Sequence, residues 1–330
     1  MKKKLLDLLA CPSCGGDILL AYAGRHEDKE IIEGVLSCKK CSREYKIVRG
    51  VPRFADLDKI GQDKADTAEN FGWQWTHFTQ ADTKYADQFL GWLQPVKQDF
   101  FKDKLVIEGG CGKGRHTNLA AQWGAKAVVG IDLSAAAVES AFAATKHLSN
   151  VHIVQADIFK LPFKKVFDYA FSVGVLHHTP DPKNAFISLA GKVKKGGNIS
   201  AWIYSAENNE WITNYVNPVR EGFTSKINQS ALYQLSKLPA LGVFLATKLI
   251  YKPLEKSRIN KKLFYHDYLT HLGRFGWREQ HNIVFDHLAA PTAFYISKAD
   301  FETWWTEINA QDVEIIWHNQ NSWCGFGKIS

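Results

Sequence analysis

The 330-residue chain has no apolar run of about 18 residues or more, so no transmembrane helix is expected. It opens "MKKKLLDLLAC", but the apolar stretch there is short and carries Asp7, against the roughly 7 to 15 uninterrupted apolar residues that a secretory signal needs. Export is therefore not expected. Internal repeats and low-complexity tracts are missing too, and so is a triphosphate-binding loop: Lys113, the lysine of the glycine-rich stretch, is followed by Gly114 where G-x-x-x-x-G-K-[ST] would require a hydroxyl. The net charge of +7 is modest and is not gathered into one stripe, since residues 61–100 and 271–330 each carry more acids than bases. Without such a stripe, a nucleic-acid partner is not expected. Cysteine is scarce, with six residues, yet four of them fall into two C-x-x-C pairs, which favours a metal over disulfides and a reducing, cytoplasmic compartment.

Hydrophobic residues make up 45% of the chain, enough to bury one large core and a small second one. Residues 1–54 form the small unit. Cys11 and Cys14, in "CPSC", make one tight knuckle, and Cys38 and Cys41, in "CKKC", make another. A hairpin between them brings four thiolates to one point, the tetrahedral set that suits a closed structural zinc site with no open catalytic position. The wider pattern "LLxxLxCPxCGGxL…GxLxCxxCxxxYxIxxGVPxF" resembles the zinc-ribbon proteins that activate methyltransferases, and the same ribbon fused ahead of bacterial methyltransferases. That resemblance implies a docking or stabilising module.

Residues 55–70 are polar and read as a linker, and residues 71–330 read as the large domain. Strands are expected at "LVIEG", "AVVGID", "HIVQA", "FDYAFSV" and "NISAWIY", alternating with helices at "RHTNLAAQWG", "SAAAVESAFAATKHL" and "DPKNAFISLAGKV". Strict alternation predicts an α/β Rossmann-like fold, with a parallel sheet and a cofactor across the carboxyl ends of its strands. Residues 205–285 break the rhythm and read as a helical insertion, a cap over an acceptor site. A helix capped by Ser297 and two closing strands follow.

The loop "LVIEGGCGKGRHT" is spaced G-x-G-x-G, not G-x-G-x-x-G, and has Glu108 two positions ahead of Gly110. An acid there would repel a diphosphate but could face the cationic methionyl portion of S-adenosylmethionine. Asp132 closes the next strand, where a carboxylate can accept from ribose hydroxyls, and Asp157 closes the one after, placed to accept from an adenine amino group. Together, "VIEGGCGKG", "GIDLS", "QADIFKLPF", "FSVGVLHHTPDP" and "VKKGG" resemble the class I S-adenosylmethionine-dependent methyltransferases, a seven-stranded fold, and in particular their small-molecule branch of ubiquinone and menaquinone biosynthesis enzymes. The resemblance implies Glu108, Gly110, Gly112, Asp132 and Asp157 as cofactor contacts. Gly109 departs from it, because an aliphatic residue is more usual there, and a looser turn is expected.

Methyl transfer needs alignment first, and a base only where the acceptor is protonated. His177 and His178 end the fourth strand beside the expected methyl position; His178 by preference would take a proton, the alternative being that the pair hydrogen-bonds its loop. "FGWQWTHF" is expected to be an irregular lid, with Trp73, Trp75 and His77 facing the cavity. Tyr265, His266, Asp267, His287 and Tyr295 are candidates for an acceptor site suited to a small molecule or saccharide, free or lipid-linked. The basic segment after Pro239 is read as a buried helix with a solvated end in preference to a membrane-surface contact. Two rival readings stand: an RNA methyltransferase whose ribbon and basic insertion hold phosphates, and a non-catalytic scaffold that retains the cofactor.

Overall fold

A computed structural model describes residues 1–55, 61–78 and 85–330. The first unit is an antiparallel sheet in the order β1 (Ile18–Ala23), β4 (Gly34–Cys38), β5 (Glu44–Val48), β6 (Val51–Pro52), with the hairpin β2 (His26–Glu27) and β3 (Glu30–Ile31) inserted after β1. Tyr45 and Ile47 of β5 point inward while Glu44, Lys46 and Val48 are exposed, the alternation of a half-buried strand.

The large domain is built on seven strands: β7 (Leu105–Gly109), β8 (Ala127–Asp132), β9 (Val151–Gln155), β10 (Phe167–Val173), β11 (Val193–Tyr204), β12 (Ala310–His318) and β13 (Ser322–Ile329). Their order is β12-β13-β11-β10-β7-β8-β9, parallel except for β13, which is antiparallel to both its neighbours. The expected seven-stranded Rossmann-like fold is therefore present. Val106 and Ile107 are fully buried, as a central parallel strand covered on both faces requires. Successive strands are added outward from β7 through β8 to β9 on one side and from β10 to β11 on the other, so the strand order reverses between β7 and β10 and a crevice opens at their carboxyl ends.

The ribbon is joined to this sheet. Phe54 N–H donates to the Gln155 carbonyl at 2.8 Å and Ala10 N–H to the Pro162 carbonyl at 2.9 Å. Arg53 and Gln155 pair in parallel, so the ribbon covers the edge presented by β9, which would otherwise expose unpaired backbone. Leu5, Leu9 and Phe54 bury into the same core as Val154, Leu161 and Phe163.

Of the stretch read as a linker, residues 56–60 lie outside the described residues, and from Gln62 the chain is helical. This helix, α1 (Gln62–His77), contains the whole of "FGWQWTH", so the segment expected to be irregular is regular apart from its last residue. Its aromatics mislead because they pack on separate partners and not along one stripe. α2 (Tyr85–Trp92) follows, and α3 (Arg115–Gln122), α4 (Ala135–Thr145) and α5 (Pro182–Ala190) are the expected crossovers. Ser134 caps α4, accepting from Ala137 N–H, and Asp181 caps α5, accepting from Asn184 N–H at 3.0 Å.

The insertion holds α6 (Asn217–Gly222), α7 (Gln229–Leu235), α8 (Lys237–Ala246), a π-helical turn at Thr247–Tyr251, α9 (Lys252–Leu254), α10 (His266–Leu272) and α11 (Trp277–Ala289). α12 (Lys298–Glu307) is capped by Ser297 as expected. Among the described residues no helix is long and apolar enough to cross a membrane.

Candidate cofactor and acceptor cavity

A cavity of ≈ 260 Å³ opens at the carboxyl ends of β7 to β11, walled by α1 on one side and by α10 and α11 of the insertion on another. Its floor is the loop after β7. Gly110 (φ +78°) and Gly112 (φ +50°) adopt the left-handed conformation, which residues with a Cβ rarely take. A Cβ on Gly110 would lie 2.3 Å from Val175, and one on Gly112 would lie 2.9 Å from the Trp75 ring. The loop is thus closed on one side by the chain itself and leaves its other face to the cavity. Gly109 is no looser turn but the last residue of β7; a side chain there would press on Ile158 and Leu189 at 3.1 Å, so packing accounts for its small size.

Asp132 ends β8 at the cavity wall. Its Oδ2 accepts from Gly112 N–H and its Oδ1 from Ser134 N–H, both at 2.9 Å, so the carboxylate is fixed in orientation by the loop and the next helix. Burial pushes its pKa up, opposed by these hydrogen bonds. Asp157 also lines the cavity: Oδ1 accepts from Phe159 N–H at 3.0 Å, and Oδ2 pairs with Lys64 of α1 at 2.7 Å. The Lys64 ammonium also sits 4.1 Å from the centre of the Phe159 ring.

Glu108 is placed differently from the expectation that it faces a ligand. It is buried beneath the loop, not on the cavity wall; Thr117 Oγ1 donates to its Oε2, and His116 Nδ1 lies 3.2 Å from Oε1. Burial pushes Glu108 up to about 8 and His116 well below the usual imidazole range, so their contact is a hydrogen bond in place of a full ion pair. Glu108 therefore anchors α3 to β7. Cys111 is buried, and burial with nearby Asp132 and Glu108 raises its thiol well above the ordinary range, leaving an inert group.

The two histidines separate. His178 lines the cavity, its Nδ1 bonded to the Thr292 carbonyl at 2.6 Å, which puts the proton on Nδ1 and leaves Nε2 an unprotonated acceptor. Burial lowers its pKa to about 4. His177 points away: it is fully buried, stacks on Tyr204 with centroids 3.9 Å apart, and accepts from Tyr204 N–H at 3.4 Å. Its place is in the core behind the loop.

At the far end, Tyr204 at the tip of β11 donates to Asp286 Oδ2 of α11 at 3.3 Å. Both line the cavity with Tyr268, Asn282, Gln74 and Asn321. Burial raises Asp286 and raises Tyr204 well above its ordinary value. These residues were missed from the sequence, where the neighbours Tyr265, His266, Asp267, His287 and Tyr295 were candidates; none of those five lines the cavity. Tyr265 instead donates to Asn209, and His266 pairs with Asp267 at 2.9 Å. Helical phase decides this: on α11, Asp286, Ile283, Asn282 and Glu279 fall on the cavity face, at the three- and four-residue spacing of one helix side. Of the three lid candidates, Trp75 lines the cavity, Trp73 packs toward Tyr233 and Phe285, and His77 stacks on Trp73.

The four ribbon cysteines converge, their Sγ atoms all within 4.8 Å of one another. Cys14 and Cys38 are 3.4 Å apart and Cys11 and Cys41 3.7 Å apart, close to the ~3.8 Å edge of a tetrahedron of sulfurs at 2.3 Å from zinc.

Two stretches of the chain match known families. Residues 107–201 match the family described as methyltransferase domain, and residues 2–50 match the Trm112p-like family. The chain thus carries a methyltransferase domain of the S-adenosylmethionine-dependent class behind a Trm112-like ribbon. The tRNA U34 carboxymethyltransferase of Pseudoalteromonas translucida (strain TAC 125) is 32% identical over 137 residues, 41% of this chain and 37% of that protein. The tRNA U34 carboxymethyltransferase of Colwellia psychrerythraea is 37% identical over 126 residues, 37% of this chain and 39% of that protein. The match therefore spans well under half the length of these curated relatives. The magnesium protoporphyrin IX methyltransferase of Synechocystis PCC 6803, solved with bound S-adenosylmethionine, aligns with 82% of this chain and 99% of its own at 13% identity and a TM-score of 0.46. The relatives named for tRNA correct the expected assignment to the small-molecule branch, the expected small-molecule or saccharide acceptor, and the exclusion of nucleic acid. The motifs from Glu108 to Asp157 belong to the cofactor half, which enzymes with different acceptors share, and so they could not specify the acceptor.

Proposed function

We propose that the protein transfers a methyl group from S-adenosylmethionine to a base in RNA, with tRNA as the substrate class. What carries this reading is the match, at 32% and 37% identity, to relatives named as acting on tRNA. The cavity fits the cofactor: a glycine floor that admits close backbone approach, Asp132 oriented by two backbone N–H groups, and Asp157 beyond it. S-adenosylmethionine would supply a sulfonium-activated methyl group. Asp132 would accept from its ribose and Asp157 from its adenine amino group, Lys64 sharing that carboxylate.

The acceptor end would take one nucleobase turned out of its stack, as base-modifying enzymes require. The amides of Gln74, Asn282 and Asn321 offer donors and acceptors to a base edge. His178 Nε2, unprotonated across the neutral range, would receive a proton from the acceptor atom, and Asp286, held by Tyr204, would orient it. We further propose one structural zinc on Cys11, Cys14, Cys38 and Cys41, which fixes the ribbon that covers the β9 edge.

The test is methylation of total tRNA by the purified protein with methyl-labelled S-adenosylmethionine, alongside the Asp286→Asn variant. Label in tRNA, falling at least tenfold in the variant while cofactor affinity is kept, supports the reading. Cofactor binding with tRNA left unlabelled would remove it and promote the scaffold.

A further inference from the structure

The run from α8 through the π-helical turn to α9 is turned inside out for a helix exposed to water. At about 100° per residue, Ser236, Ala240, Thr247 and Tyr251 fall on one side, and this side is the buried one. It is bonded to the rest of the insertion through polar groups. Ser236 Oγ meets His281 Nε2 at 2.8 Å, Thr247 Oγ1 donates to Gln280 Oε1 at 2.9 Å, and Lys248 Nζ donates to the carbonyls of Gly273 and Phe275 at 2.6 and 2.8 Å. The opposite side carries Leu238, Leu241, Leu245 and Leu249, which are 78, 45, 45 and 70% exposed. A helix on a water-facing surface would place charges there.

The chain continues from this ridge into its most basic stretch. Between Gly222 and Lys262 stand eight lysines and arginines against one acid, Glu255. That acid is already taken by Arg274 at 2.7 Å. Lys252, Lys256, Arg258, Lys261 and Lys262 are all exposed, interleaved with exposed Ile250, Ile259 and Phe264. The Tyr251 hydroxyl donates to the Phe264 carbonyl at 2.6 Å, which draws the end of the basic loop back beside the helix.

We propose that this face of the insertion is a docking surface for an anionic phospholipid bilayer, with the leucine ridge entering the headgroup and acyl boundary and the lysines meeting lipid phosphates. Charge complementarity selects the occupant. A second copy of the chain would bring the same cations against themselves, and RNA would pair with the lysines but gain nothing from four aliphatic side chains, since nucleic acids are held by phosphate contacts and aromatic stacking. An anionic membrane surface rewards both features together. The ridge faces away from the helix side that meets α11, so the surface is separate from the cavity and does not depend on which acceptor is used there.

The experiment is flotation of the full-length protein with vesicles of phosphatidylcholine alone and of phosphatidylcholine mixed with phosphatidylglycerol. The expected result is roughly tenfold or greater enrichment on the anionic vesicles, weakened by salt. The triple variant Leu238→Ser, Leu241→Ser, Leu249→Ser should lose that enrichment while keeping cofactor affinity and melting temperature, and Lys252→Glu with Lys256→Glu should lose it too. No enrichment on anionic vesicles overturns the proposal, as does enrichment that survives the leucine changes. Sedimentation of a wild-type dimer that the leucine variant converts to monomer would assign the ridge to a second copy instead. RNA affinity lost in the lysine variant, with no vesicle binding by wild type, would assign the patch to RNA.

Discussion

Replacing Asp132 with alanine is the sharpest probe of the cofactor site. The carboxylate accepts from Gly112 N–H and Ser134 N–H at 2.9 Å, and the residue lines the cavity. The variant leaves the loop's backbone donors without their acceptor and removes the acceptor for the cofactor's ribose. Hydrogen bonds to a charged group are worth about 1.5–3 kcal/mol each. Part of the loss falls on the free protein and cancels, so a net loss of about 2–3 kcal/mol is expected, roughly 30- to 150-fold in Kd. Isothermal titration with S-adenosylmethionine and with its demethylated product measures it, and both ligands should weaken alike because they share the ribose. A Kd within about threefold of wild type, with the fold intact by circular dichroism, would refute the assignment of Asp132.

Stability should fall on acidification. Burial holds His152, His178, His271 and His318 each down to about 4, against roughly 6.5 in an unfolded chain. Between those values the unfolded chain binds more protons, so their contribution is fully present above about pH 6.5 and is lost as pH falls toward 4, by up to ~1.4 kcal/mol per pH unit for each. Glu108, raised to about 8 by burial, acts in the opposite sense, losing its contribution as pH rises through 8. A melting temperature that drops from pH 7 to pH 5, with a shallower drop in His178→Gln, is the expected outcome. Gly110→Ala would force a Cβ to 2.3 Å from Val175 at φ +78°, costing about 2 kcal/mol or more and weakening cofactor binding, as thermal melts and titration would register. Cys38→Ser should reduce bound zinc below one per chain and lower the melting temperature of the whole protein, because the ribbon and the large domain share a core.

The sheet was legible in the sequence because its central strands are short, mostly buried and mostly apolar runs, ending in Gly109, Asp132 and Gln155. The convergence of the four cysteines was legible in their two C-x-x-C pairs, and the placement of the carboxylates at 132 and 157 in the cavity wall was legible because each stands at or just beyond the carboxyl end of a strand. Glu108 misled because sequence spacing does not say which face of a strand end an acid takes, and here Thr117 and His116 of α3 claim it. The acceptor end was not legible. Asp286 and Tyr204 come together from elements 82 positions apart, and which residues of α11 face inward depends on how the insertion packs. α1 was hidden by polar composition, since its burial comes from single contacts such as Gly72 against Ser134 and Trp75 against Gly112.

The assignment of RNA as acceptor is tested most directly by incubating the purified protein with methyl-labelled S-adenosylmethionine and a cell extract, then separating RNA, protein, lipid and small molecules and counting label in each. Label is expected in the RNA fraction, confined to tRNA and strongly reduced by Asp132→Ala at subsaturating cofactor. Label confined to the lipid or small-molecule fraction, with RNA unlabelled, would contradict it.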